Sequence, residues 1–152
     1  MTNDDIARSV LDASSYVVLA TATADGTPWA SPVWFAHAAY RELFWVSAPD
    51  SRHSRNIVAR PRIAAVVFDS TVAANTGQAV YMSATAGRVT DPAEIERGIA
   101  VFSARSVREM DTEWGPDRVT GAARLRLYRA EVDEHSILDP DAAIDVRVTV
   151  SP

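Results

Sequence analysis

The sequence predicts a mainly β protein with few helices, an antiparallel barrel that is closed or nearly closed. Three observations carry this. Short runs rich in β-branched and aromatic residues recur at close spacing along the chain. Asp25-Gly26 sits between two such runs, as a hairpin requires. Only three stretches carry helical periodicity or helix-start chemistry. With 152 residues and 47% hydrophobic content, the chain suffices for one domain, residues 1–152, with a real core.

The elements follow in order. DDIARSVLDA (4–13) places Ile6, Val10 and Leu11 on one stripe of a short helix. YVVLATAT (16–23) is the first strand, and Pro28 to Phe35 the second after the Asp-Gly turn. A further turn at Ala38 to Glu42 leads into LFWVSA, so the opening is a meander. Pro49-Asp50-Ser51 starts a helix over 52–59, and Arg60-Pro61 stops it, because a residue before proline avoids the helical region. RIAAVVFD (62–69) is the fourth strand. QAVYMSATAGRVT (78–90) is the fifth, with Gly87 as the expected bulge. Asp91-Pro92-Ala93-Glu94 caps a helix expected to reach Ala104, and 105–121 reads as irregular. Residues 123–134 and 143–150 are the sixth and seventh strands.

Composition narrows the chemistry. The net charge of −5 argues against nonspecific nucleic-acid binding. The chain has no cysteine, hence no disulfide, thiolate nucleophile or Cys-ligated zinc. All 15 cations are arginine, which removes Schiff-base lysine chemistry and leaves anions to Arg, His, hydroxyls and backbone N–H groups. The polar, acidic start MTNDDIARS is not a signal peptide, no apolar run is long enough for a membrane helix, and a cytoplasmic location is expected.

The densest chemistry lies at Ser51, Arg52, His53, Ser54 and Arg55. Two hydroxyls, three groups able to carry positive charge and a helix N-terminus suit a phosphate. Taken alone, a solvated capping turn is the simpler reading. Pro32 in TPWASPVWF marks an edge strand whose free backbone groups suit a ligand ring, although Trp34 and Phe35 also read as core. Gln78 can recognise a heterocycle but signals little by itself. Asp133, Glu134, His135, Asp139 and Asp141 match no metal-loop spacing and read as a solvated acidic stretch; no metal is expected. His37 reads as a lone turn histidine, and Trp114 as either a lid or ordinary packing. No GxSxG, HExxH, P-loop or GxGxxG pattern occurs.

Over residues 14–90 the chain resembles the pyridoxamine 5′-phosphate oxidase-like family of FMN-binding split β-barrels. The resemblance is carried by LATATADGTPWASPVWF and by LFWVSAPDSRHSRNIVARPRIAAVVFD, in which Ser47, Ser51-Arg52-His53 and Arg60-Pro61-Arg62 fall at the family's positions. It implies FMN, or a deazaflavin, in a groove at a homodimer interface, and oxidoreductase chemistry on a small molecule. Ser31, Pro32, Val33 and Trp34 would run beside the ring system, and Val46 and Ser47 along the ribityl and phosphate side. Arg52 and His53 match phosphate ligands, and Gln78 a glutamine touching the flavin. Ser54 and Arg55 support them as neighbours in the same turn. The chain departs from the oxidases at Ser31 and Ala36, where they carry Arg and Lys, and at His53, where they carry Lys. Other outcomes compatible with the sequence are a non-catalytic flavin, deazaflavin or haem binding protein and a dimeric barrel without cofactor.

Overall fold

Alternation of apolar and polar residues dictates the architecture. In β1 (Tyr16–Ala22), Val17, Leu19 and Thr21 turn inward, and Tyr16, Val18 and Ala20 turn out. The same alternation recurs in β5 (Arg62–Phe68) and β6 (Ala79–Arg88). The inward faces close over one cluster of 21 buried residues, which includes Leu19, Phe35, Trp45, Val67 and Tyr128. The computed structural model describes all 152 residues.

Eight antiparallel strands form one sheet in the order β2 (Pro28–Trp34), β1, β5, β6, β7 (Arg126–Leu138), β4 (Glu42–Ser47) and β3 (Ala36–Ala38), with β8 (Arg147–Val150) on the edge of β7. β2 and β3 lie at opposite ends of this order, yet only Phe35 separates them in the chain. The sheet therefore curls until its ends meet at Phe35. From there β2 diverges from β4, which leaves a split barrel with an open seam. Pro28 and Pro32 lie on this edge strand, where no ladder hydrogen bond is lost.

Three α-helices complete the chain: α1 (Asn3–Ala13), α2 (Arg52–Ala59) and α3 (Pro92–Met110). None is long and apolar enough to cross a membrane. Thr2 and Asp5 form a reciprocal capping box on α1. Asp91 caps α3 through the Glu94 N–H, with Pro92 in the first turn. Helix α2 lies across one end of the barrel. Its last turn is tied to the β1–β2 hairpin by Arg60, which donates to the Thr23 and Ala24 carbonyls at 2.9 Å each. Gly26 takes φ +92° in that hairpin, a conformation open to glycine.

Several expectations are corrected. The chain has eight strands rather than seven, because Ala36–Ala38 pairs with Glu42–Phe44 as a short strand. Helix α3 continues to Met110 instead of ending near Ala104, since its last turns bury Arg105 and Ser106 against the barrel. The sixth expected strand is displaced to 126–138, and the last is confined to 147–150. The register shift in β6 falls at Ser83/Ala84, while Gly87 pairs regularly with Arg129. Gln78 lies just before β6.

Gly98 lets α3 sit close to the sheet. A Cβ there would lie 2.7 Å from Phe44 Cε1 and 2.9 Å from Leu127 Cδ2. Overpacking of this kind costs about 1–3 kcal/mol, against which alanine's better helix propensity returns up to about 1 kcal/mol. The Gly98→Ala variant is expected to lose about 1–2 kcal/mol in urea unfolding. Unchanged stability would show that α3 shifts freely.

Candidate functional site

The seam between β2 and β4 is filled by one side chain. His53, in the first turn of α2, projects into the barrel end and is 9% exposed. Its Nδ1 lies 3.2 Å from Ser31 Oγ on β2. Its Nε2 lies 2.7 Å from Ser47 Oγ at the end of β4 and 3.3 Å from Ser51 Oγ. Ser51 is the N-cap: it accepts from the Ser54 N–H and donates to Ser54 Oγ at 2.7 Å. An imidazole with three hydroxyls thus bridges strands that share no backbone bonds.

Burial pushes the His53 pKa below its ordinary value, so the ring is neutral at physiological pH, with one nitrogen donating and the other accepting. Beneath it, Asn56 donates to Thr21 Oγ1 at 3.0 Å and anchors the helix to β1. Arg52 points the other way, its guanidinium 4.1 Å over the Trp29 ring on β2. Arg55 is exposed. The N–H groups opening α2 have no intrahelical partner, and its dipole places partial positive charge at the cluster.

The structure brings together Ser31, Ser47, Ser51, Arg52, His53 and Ser54. Val33 is buried beside them on the inner face of β2. Pro32 is exposed on the outer face, Trp34 packs edge-on against Phe102 of α3 at 4.9 Å, and Val46 packs against the same α3 cluster. Gln78 is far from these residues. It lies beyond the Phe68–Ala79 row, whereas Ser31 shares a row with Leu19, Ala65 and Met82. Four residues of strand, on the order of 13 Å, and three strand spacings intervene.

Trp29, Thr21 and Asn56 are contributors that the sequence did not mark. The Pro28-Trp29 start of an edge strand was the available signal for Trp29. The remaining histidines serve the β3–β4 turn. Its central residues Ala39 and Tyr40 have φ +48° and +60° without being glycine. His37 stacks on Tyr40 at 4.6 Å, and its Nε2 bonds Asp12 at 3.0 Å, while the Tyr40 hydroxyl donates to Asp12 at 3.0 Å. His135, 4% exposed, bonds the Tyr40 carbonyl through Nε2 at 2.8 Å. Asp133, beside it in sequence, pairs with Arg62 at 2.9 Å. Trp114 packs on Phe102 under the Arg118 guanidinium.

Burial also lowers the His135 pKa. Both buried rings are neutral in the fold and protonate more readily when unfolded. Their contribution is complete above the unfolded histidine pKa, roughly 6.5, and is lost as pH falls through the lower folded values. Urea midpoints are expected to drop between pH 8 and pH 5, and the drop should shrink in His53→Gln and His135→Gln. A flat profile in the unaltered protein would contradict this.

A curled antiparallel sheet split at one seam, with α2 across its end, defines a split β-barrel. The chain matches the model of the pyridoxamine 5′-phosphate oxidase family over residues 4–138 and belongs to that family. Similar solved structures include the haem storage protein HutZ of Vibrio cholerae, at 21% identity and TM-score 0.70 over 88% of this chain and 92% of that one. A haem binding protein of Mycobacterium smegmatis is 17% identical with TM-score 0.71; the match covers 98% of this chain and 58% of that protein's chain. An FAD-binding protein of Mesorhizobium loti is 19% identical with TM-score 0.63, over 90% and 94% of the two chains. No curated protein matches by sequence.

Proposed function

We propose that this chain is a cytoplasmic, FMN-dependent oxidoreductase that acts on a small molecule as a homodimer. The observation that carries the reading is the His53 cluster. Four hydroxyl or imidazole groups converge at the start of a helix, in the turn where the family resemblance places the flavin phosphate. The donor set suits an anion, and no carboxylate hydrogen-bonds the His53 ring. Arg52, one residue before His53 in the same turn, would have to leave Trp29 to reach a phosphate oxygen. Bound flavin supplies hydride transfer. The chain's own part is to grip the phosphate, lay the β2 backbone beside the ring and keep water from it.

The outer face of β1, β5 and β6 supports the homodimer. Tyr16, 58% exposed, and Phe68, 49%, sit side by side at one end of it, and Val18, Val66 and Tyr81 form the next row, lining a hollow of about 240 Å³ that Glu134 and Arg147 border. Such a contiguous apolar face suits burial against a second copy. Gln78 lies near the far end of this face, so under this reading it joins a flavin site only from the partner subunit. A Val66→Glu variant is expected to elute as a monomer and to lose FMN; a wild-type chain that is monomeric in solution would refute the dimer.

Haem is the competing occupant, named for two of the similar structures. Its iron needs an axial ligand with a free lone pair. His37 and His53 use both ring nitrogens, His135 is buried, and there is no cysteine, which leaves tyrosine or methionine as the axial ligand of a bound haem. The absorbance of purified protein titrated with FMN or haemin separates the readings: a flavin spectrum at near-stoichiometric occupancy supports the proposal, and a Soret band with no flavin uptake overturns it. NAD(P)H oxidation under turnover separates an enzyme from a carrier. Arg52→Ala is expected to weaken FMN binding by ~1.5–3 kcal/mol, roughly 10- to 150-fold, and to leave riboflavin unaffected. An unchanged FMN dissociation constant would remove Arg52 from the site.

A further inference from the structure

We propose that His53 takes up a proton when a phosphate monoester such as that of FMN binds, so that this one side chain couples cofactor affinity to pH. The inference rests on the flavin reading above and concerns how the same site works.

The geometry carries it. All of the ring's hydrogen-bond partners are hydroxyls: Ser31 at Nδ1, Ser47 and Ser51 at Nε2. A hydroxyl can donate or accept by rotating its hydrogen, with no movement of heavy atoms. Around the neutral ring, one hydroxyl must donate to the nitrogen that lacks a proton. When a solvent proton binds that nitrogen, both ring N–H groups donate to serine oxygens. The hydroxyl hydrogen released from the ring then turns toward the anion. One proton enters from solvent, and no other bond changes.

The surroundings set the direction. α2 carries Arg52, whose guanidinium lies over Trp29, and Arg55, which is exposed, and Asp50 stands in the turn before it. On β7, Arg126 pairs in register with Ser47; its Nη atoms donate to the carbonyls of Gly121, Ala123 and Leu125, and its buried Nε has no partner. β2 and β4 bring only the serines, β1 brings Thr21, and β6 brings Ala84 and Ala86 with Arg88 at its exposed end. No carboxylate touches the ring, so the empty site does not hold a second proton, and burial reinforces this. A phosphate dianion reverses the balance by placing negative charge beside the imidazole.

Calorimetric titration of cofactor-free protein with FMN at pH 8, in two buffers of different protonation enthalpy, measures the proton directly. The phosphate's second pKa is about 6, so the free ligand is already a dianion at that pH. Uptake of about one proton per FMN is expected, with affinity weakening about tenfold per pH unit as pH rises. Riboflavin, which lacks the phosphate, should bind without uptake. His53→Gln should keep weakened FMN binding and lose the uptake. If that variant does not fold, the FMN–riboflavin comparison on the unaltered protein decides. FMN binding with no proton uptake, or uptake that persists in His53→Gln, overturns the inference and leaves the flavin reading intact. Failure of FMN to bind at any pH overturns both.

Discussion

Arg105→Ala is expected to cost about 3–5 kcal/mol of stability, the scale for removing one partner from a buried charged network. Arg105 lies on α3 and is 6% exposed. Its Nη1 donates to the Phe35 carbonyl at 2.8 Å, its Nη2 to the Ser14 carbonyl at 2.6 Å, and its Nε to Glu109 at 2.7 Å. Truncation orphans two buried carbonyls and leaves Glu109 uncompensated. The loss is also local to the site's frame, because Phe35 is the single residue that joins β2 to β3 and closes the barrel. The guanidinium lies 5.0 Å from the Phe35 ring centroid and 5.4 Å from that of Trp34, so packing is lost as well. Arg105→Lys should recover only part, since an ammonium cannot reach three acceptors in the guanidinium's planar fork. Urea denaturation reads both variants. A loss below about 1 kcal/mol for Arg105→Ala would show that the clip is not holding the barrel closed.

Trp45→Ala is expected to cost a similar about 3–5 kcal/mol. Trp45 is fully buried on β4 and stacks on Tyr128 at 5.9 Å, its register partner on β7. Removing it opens a cavity in the centre of the main core. Trp45→Phe should cost far less than its change in volume suggests. The indole Nε1 is buried without a hydrogen-bond partner, and phenylalanine removes that unsatisfied donor along with the second ring. The contrast between the two variants separates lost packing from the desolvated N–H. Losses that scale with the volume removed in the two variants would show that ring volume alone matters. Because Ser47 follows Trp45 by two residues on the same face, Trp45→Ala should also loosen the His53 seam.

Much of the fold was legible in local chemistry. The Asp25-Gly26 turn, the Ser51 cap and Pro61 stop of α2, and the Asp91-Pro92 start of α3 each rest on the preferences of a few adjacent residues. Pro32 likewise marks the edge strand. Features missed from sequence depend on distant partners. Ala39 and Tyr40 adopt left-handed backbone without glycine because His37, His135 and Asp12 hold the turn from three elements. The last turns of α3 look polar, yet they remain helical because Arg105 finds carbonyl acceptors on α1's end and at Phe35.

The site divides the same way. Ser51, Arg52, His53 and Ser54 are neighbours in one helical turn, so the sequence alone determined that hydroxyls, cations and a helix N-terminus coincide there. Where each side chain points was decided by the tertiary structure. Closure of the sheet brings Ser31 and Ser47, sixteen positions apart and on strands that share no hydrogen bonds, to opposite sides of one imidazole. It also turns Arg52 onto Trp29 and leaves Gln78 at the other end of the barrel. The physical reason is range. Caps, turns and alternation act over a few residues, whereas the seam exists only once eight strands have curled far enough for their ends to meet.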